Sequence, residues 1–133
     1  MANALFSKGR EGILDRTIDM TGDVRAMLVK STYSFDDNDV YISDLGSVDN
    51  GRSAALGTKT YSLGVFNAAN TSLVALAAVA SNAVIIFQHT GADGTARLIA
   101  YIDTPASGLP CTPALGQTLN VNWDTGANKI FKL

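Results

Sequence analysis

The chain has 133 residues, 47% of them hydrophobic and 17% charged, with a formal net charge of −2 at pH 7. That length suits one domain, which buries about two thirds of the surface exposed by its unfolded chain and so needs neither a disulfide nor a metal to hold a core. The composition excludes a disordered chain, and the small negative charge excludes the basic footprint of a nucleic-acid binder. Eleven Asp stand against a single Glu, Glu11. Asp favours turns and caps because its short side chain bonds nearby backbone, which points to a β protein with many turns. Cys111 is the only cysteine, so no intrachain disulfide can form.

The N-terminal stretch MANALFSKGREG is polar by its seventh residue and lacks a basic segment followed by an apolar run, so no signal peptide is expected. Asn3–Asp15 predicts a helix. Leu5, Phe6, Ile13 and Leu14 cluster near one face, while Lys8, Arg10 and Glu11 fall elsewhere. Gly9 and Gly12 weaken the helix but would let another backbone approach closely. The four apolar residues are candidates for partner binding, because a terminal helix is readily used as an arm. Asp23–Lys30 alternates, with Val24, Ala26 and Leu28 against Arg25, Met27 and Val29, and predicts a strand. Ser34–Gly51 is acidic, has no Lys or Arg, and predicts a short helix near Asp37–Leu45. Arg52–Leu63 and Val65–Phe66 supply further short strands.

No charge interrupts the chain between Lys59 and Asp93. The apolar run Leu73–Phe87 is shorter than the roughly 20 residues a membrane helix needs, contains Ser81-Asn82, and has no flanking Lys/Arg cluster. Leu76–Ala80 holds good helix formers, but Ala83–Gln88 is rich in β-branched and aromatic residues. The pattern therefore predicts two strands, Leu73–Val79 and Ala83–His89, with a turn at Ser81-Asn82. TGADGT, residues 90–95, is a turn, and Arg97–Asp103 is the next strand. In that strand Leu98, Ala100 and Ile102 are expected on one face and Ile99 and Tyr101 on the other. Ala83–Thr90 and Ala96–Asp103 should pair as an antiparallel hairpin. Both are apolar on both faces, which places the hairpin centrally between layers. Thr104–Gly116 holds all three prolines and reads as a loop. Gln117–Trp123 alternates as a strand, Asp124–Asn128 is a turn, and Lys129–Leu133 is a last short strand. Leu98, Ile102, Ile85, Phe87, Val121 and Trp123 are expected in the core.

None of the short motifs carries a clear chemistry. Asp36-Asp-Asn-Asp39 invites a calcium reading, but counted from Asp37 the EF-hand Gly and Glu positions are Ile42 and Val48. A solvated loop that caps a short helix fits better. In GRSAALGTKT, residues 51–60, five residues separate the glycines and Thr58 precedes Lys59, so the phosphate-loop pattern fails and a strand with a glycine-marked bend fits. His89 and Cys111 are the only residues of their types; a nucleophilic pair is conceivable, but a zinc cluster is not. Trp123, Tyr33, Tyr41, Tyr61 and Tyr101 could line a stacking surface, although such residues more often fill cores.

Two stretches resemble a known family. The opening MANALFSKGREGILDRTIDM, continuing to VRAMLV, resembles the start of small virion proteins of tailed bacteriophages. The ending resembles them more closely, in TGADGTARLIAYID, GLPCTP and NWDTGANKIFKL. The resemblance runs over nearly the whole chain and is least distinctive over Ser34–Ala80. Among such proteins the capsid decoration, or cement, type fits best. The resemblance implies an antiparallel, jelly-roll-like β-sandwich over a single domain, residues 1–133, with the helix at about 3–15. It implies a homo-oligomer, such as a trimer, that binds the major capsid protein on the phage head surface. It implies no cofactor and no catalytic residue; from the residues themselves, no metal site and neither a nucleic-acid nor a membrane partner is expected. A tail or neck component is the alternative, followed by a carbohydrate-binding module on the virion surface and then a Cys–His hydrolase.

Overall fold

The computed structural model describes residues 3–103, 109–127 and 129–133. Among them the elements run β1 (Ala4–Leu5), α1 (Ser7–Leu14), β2 (Val24–Lys30), a 3₁₀ turn (Ile42–Leu45), β3 (Asp49–Arg52), β4 (Thr60–Ser62), β5 (Val65–Asn67), β6 (Thr71–Val74), β7 (Ser81–Gln88), β8 (Leu98–Ile102), β9 (Thr118–Val121) and β10 (Phe131–Lys132). The fold is mainly β, with antiparallel pairing and one short helix near the N-terminus. A five-stranded sheet has the order β1-β8-β7-β2-β3. A three-stranded sheet, β10-β5-β4, and a two-stranded sheet, β6-β9, complete the set.

The five-stranded sheet is apolar on both faces, and each face has its own cover. Val24, Ala26 and Leu28 of β2, Val84 and Ile86 of β7, and Ile102 of β8 meet Phe66, Leu73, Val121 and Phe131 from the smaller sheets and Trp123 just beyond β9. On the other side Met27, Val29, Ile85, Phe87, Leu98 and Tyr101 meet Tyr33, Ile42, Leu45 and Val48 from the segment between β2 and β3. The arrangement is sandwich-like but not closed, because the second β layer is split into two small sheets. All six residues expected in the core are buried. Full burial of both faces explains why β2, β7 and β8 read as almost continuous apolar runs.

Several local expectations change. Asn3–Phe6 is not helical. Ala4 and Leu5 pair with Tyr101 and Ala100, and the Phe6 amide donates to the Ile99 carbonyl at 3.0 Å, so this segment covers the outer edge of β8. The helix begins at Ser7, and its buried residues are glycines, Gly9 and Gly12. A Cβ at position 9 would lie 2.7 Å from the Leu98 carbonyl oxygen and 2.8 Å from that of Ile99. The close approach foreseen for Gly9 is therefore real, and its partner is the chain's own β8. The faces of β8 also differ from strict alternation. A register shift between Ile86 and Phe87 leaves Ile99 unpaired, so Leu98 shares a face with Tyr101, and Ile99 with Ala100 and Ile102.

Ser81-Asn82 opens β7 instead of forming a turn. Ser81 pairs with Lys30 and bridges to Cys111, and its buried hydroxyl accepts from Asn50 Nδ2 at 3.0 Å. The preceding strand is shorter than expected, Thr71–Val74, and it pairs with β9. Residues 104–108 of the proline-rich loop and residue 128 of the last turn lie outside the described residues. Among the described residues no helix is long and apolar enough to cross a membrane.

Candidate interaction surface

The four apolar residues proposed for partner binding separate in the structure. Phe6 and Leu5 are buried in the chain's own core, Phe6 stacking on Phe35 with ring centroids 4.9 Å apart. They are not on offer to a partner while the fold is intact. Ile13 is half-buried, and Leu14 is 78% exposed at the end of α1.

Ile13 lines an apolar groove of about 230 Å³ with Met20, Tyr61, Gly64, Val65, Phe66, Phe131 and Leu133. Its floor is an aromatic stack, in which Tyr61 lies 5.9 Å from Phe66 and Phe66 lies 5.2 Å from Phe131. Two bonds tie its walls together. The Tyr61 hydroxyl donates to the Met20 carbonyl at 2.7 Å, and the Leu133 amide donates to the Gly64 carbonyl at 2.9 Å. Partial burial pushes the Tyr61 phenol pKa up, with the Asp19 charge adding to it. The phenol is therefore a neutral donor, and the side chains that line the groove carry no charge.

Beside the groove, Leu63-Gly64 connects β4 to β5 as a two-residue turn. Leu63 has φ +54 and Gly64 φ +78. Both central residues of such a hairpin turn need positive φ, and Asn, Asp or Gly normally stands first. A leucine there costs about 1 kcal/mol of backbone strain. Its side chain is also 92% exposed, so core burial does not offset that strain. Sequence reasoning missed Leu63, Met20, Tyr61 and Leu133 as a group. The readable signal was Leu-Gly between the alternating runs TYS and VFN, where Asn-Gly would be expected.

The remaining sequence candidates fall into structural roles. Trp123 is buried and donates from Nε1 to the Ala69 carbonyl at 3.0 Å; Tyr33 and Tyr101 are buried against each other's surroundings beside Phe35. Asp37 serves α1. Its carboxylate accepts the Ser7 amide at 2.7 Å and the Ser7 hydroxyl, which replaces the side-chain cap that Phe6 lacks. Those bonds hold the Asp37 carboxyl below its ordinary value. Asp44, with Tyr41, forms the capping box of the 3₁₀ turn. Asp39 accepts from the Tyr33 hydroxyl at 2.8 Å. Among the described residues no three His, Cys, Asp or Glu side chains converge to hold a metal ion.

Cys111 bridges to Ser81 at the start of β7, while His89 follows the strand's end. Eight residues of strand separate these points by about 26 Å. Burial also pushes the Cys111 thiol pKa up, away from the thiolate a nucleophile needs. The two residues do not form a catalytic pair. No family model, no curated protein and no solved structure matches the chain.

Proposed function

We propose that this chain is a decoration, or cement, protein of a tailed-phage capsid, which binds and stabilises the lattice of the major capsid protein on the head surface. The resemblance at both ends of the chain supplies the partner. The observation that carries a binding role is Leu63, an exposed leucine held in a strained turn beside an apolar groove. Strain without local compensation marks sites kept for another purpose. Ile13 of α1 lines the same groove and its chain neighbour Leu14 is exposed, so this reading retains two of the four residues first proposed for the partner. Its role is structural: it acts by burying apolar surface, assigns no cofactor and names no catalytic residue.

The test mixes purified protein with heads that lack it and locates the bound copies by imaging. Saturable occupancy of many sites, with heads that resist heat better, is the expected result. Because the contact is apolar, occupancy should change little between low and high salt, unlike phosphate-contacting proteins, whose affinity falls by orders of magnitude. Occupancy confined to one vertex would reassign the chain to the neck or tail. Absence from heads, with binding to a glycan instead, would overturn the structural reading.

A further inference from the structure

The molecule treats its strand edges unequally. The outer edge of β8 is covered by β1 and Phe6. β3 faces a register shift in β2 and carries the ion pairs of Arg52 with Asp49 and Asp93 at 2.8 and 2.9 Å. β10 has only two residues, one of them Lys132, and β4 follows directly on Lys59. These are the usual ways of keeping an edge from pairing with another chain. β9 has none of them. It pairs with β6 in unbroken register, and among the described residues no strand lies on its other side. It contains no proline, and no charged residue occurs between Asp103 and Asp124.

The hydrogen-bond pattern shows what this edge offers. The Ala75 amide donates to the Gln117 carbonyl at 2.9 Å, and in this register Leu119 and Val121 turn their backbone groups toward β6. Thr118 and Asn120 turn theirs outward, and both are exposed. Leu119 between them is only partly buried against the core.

We infer that β9 pairs with β9 of a second copy of this chain, antiparallel about a two-fold axis through Leu119. In that register Thr118 of each copy faces Asn120 of the other, and each of these pairs exchanges two backbone hydrogen bonds. Leu119 meets its own equivalent in the closer, non-hydrogen-bonded position, which completes its burial. The two small sheets become one four-stranded sheet, β6-β9-β9-β6. The charge pattern selects a second copy as the occupant. A two-fold axis sets like against like, which an edge bearing a single charge resists and an edge of Thr, Leu and Asn does not. This contact goes beyond the capsid reading and does not depend on it, because it uses neither the groove nor Leu63.

Sedimentation equilibrium of the full chain across a range of concentrations tests it, with no capsid present. The wild type should reach twice the chain mass of 13.9 kDa. Thr118→Lys with Asn120→Lys sets lysine against lysine at both pairs and should return the mass to that of one chain. Thr118→Lys with Asn120→Asp sets lysine against aspartate at both pairs and should restore the doubled mass. Matching melting curves for the two double variants show that folding is not the cause of the difference. A wild type that stays at one chain mass overturns the inference. So does a Lys/Lys variant that stays dimeric, or a Lys/Asp variant that remains monomeric with its fold intact.

Discussion

The β7–β8 and β4–β5 hairpins are both uncharged along their strands, yet they sit in opposite surroundings. In β7–β8 every residue of β8 is buried, as are five consecutive residues of β7, because the sheet they centre is covered on both faces. In β4–β5 all three residues of β4 are exposed, and the turn places Leu63 fully in water. Apolar residues in the first hairpin are explained by the core. Those at the tip of the second are not, and this separates residues that hold the fold from residues whose exposure the fold does not explain.

The largest effects should come from the buried hairpin. Ile85→Ala removes a side chain with no exposed surface and should lower unfolding free energy by about 2–5 kcal/mol in urea titration. Leu63→Ala, in the other hairpin, should stay within about 0.5 kcal/mol of the wild type. If the two cost the same, the division between the hairpins fails.

Gly9→Ala is the next largest. Helix propensity alone predicts a gain of up to about 1 kcal/mol. The new Cβ would instead press on the Leu98 and Ile99 carbonyls, which are backbone and cannot swing aside. A loss of roughly 1–3 kcal/mol is expected, read as a lower denaturation midpoint. A gain would mean that α1 is not seated on β8.

Asp37→Ala should cost about 1 kcal/mol by leaving the first turn of α1 uncapped. The Ser7 bonds depress the Asp37 pKa in the folded state, so its contribution is present above the ordinary carboxylate range and is lost as pH falls through the lower folded value. Asp15, Asp19, Asp23 and Asp93 are depressed in the same sense by Thr17, Thr21, Arg25 and Arg52. Asp39 runs the other way, pushed up by burial. Stability should therefore fall as pH drops below about 4, and the Asp37→Ala chain should lose less over that range. An equal loss in both chains would remove Asp37 from the cap.

The central hairpin, the β2 strand and the alternation of β9 were legible in the sequence, because burial on both faces or on one leaves a direct pattern of apolar residues. Three features were hidden for physical reasons. The unpaired Ile99 exchanges the faces of β8 without changing composition, so strict alternation assigned Leu98 to the wrong side. Ser81 looked like a turn residue because its partners, Lys30, Asn50 and Cys111, are all distant in the chain. The N-terminal apolar cluster looked like one helix face, but Leu5 and Phe6 belong to a strand edge and Leu14 points to solvent. The groove was invisible because it joins α1, the β4–β5 hairpin and β10, three segments with no local signature in common.

Leu63→Asn tests the central claim most directly, because it separates fold from function at one residue. Asn suits the positive φ of the turn, so the folded chain should be as stable as the wild type or more stable by up to about 1 kcal/mol. The measurement is occupancy on heads that lack the protein, compared between wild type and Leu63→Asn at equal concentration. The account predicts that occupancy falls at least tenfold while the melting temperature holds or rises. Undiminished occupancy of the variant would contradict it and return Leu63 to the status of a surface residue without a partner.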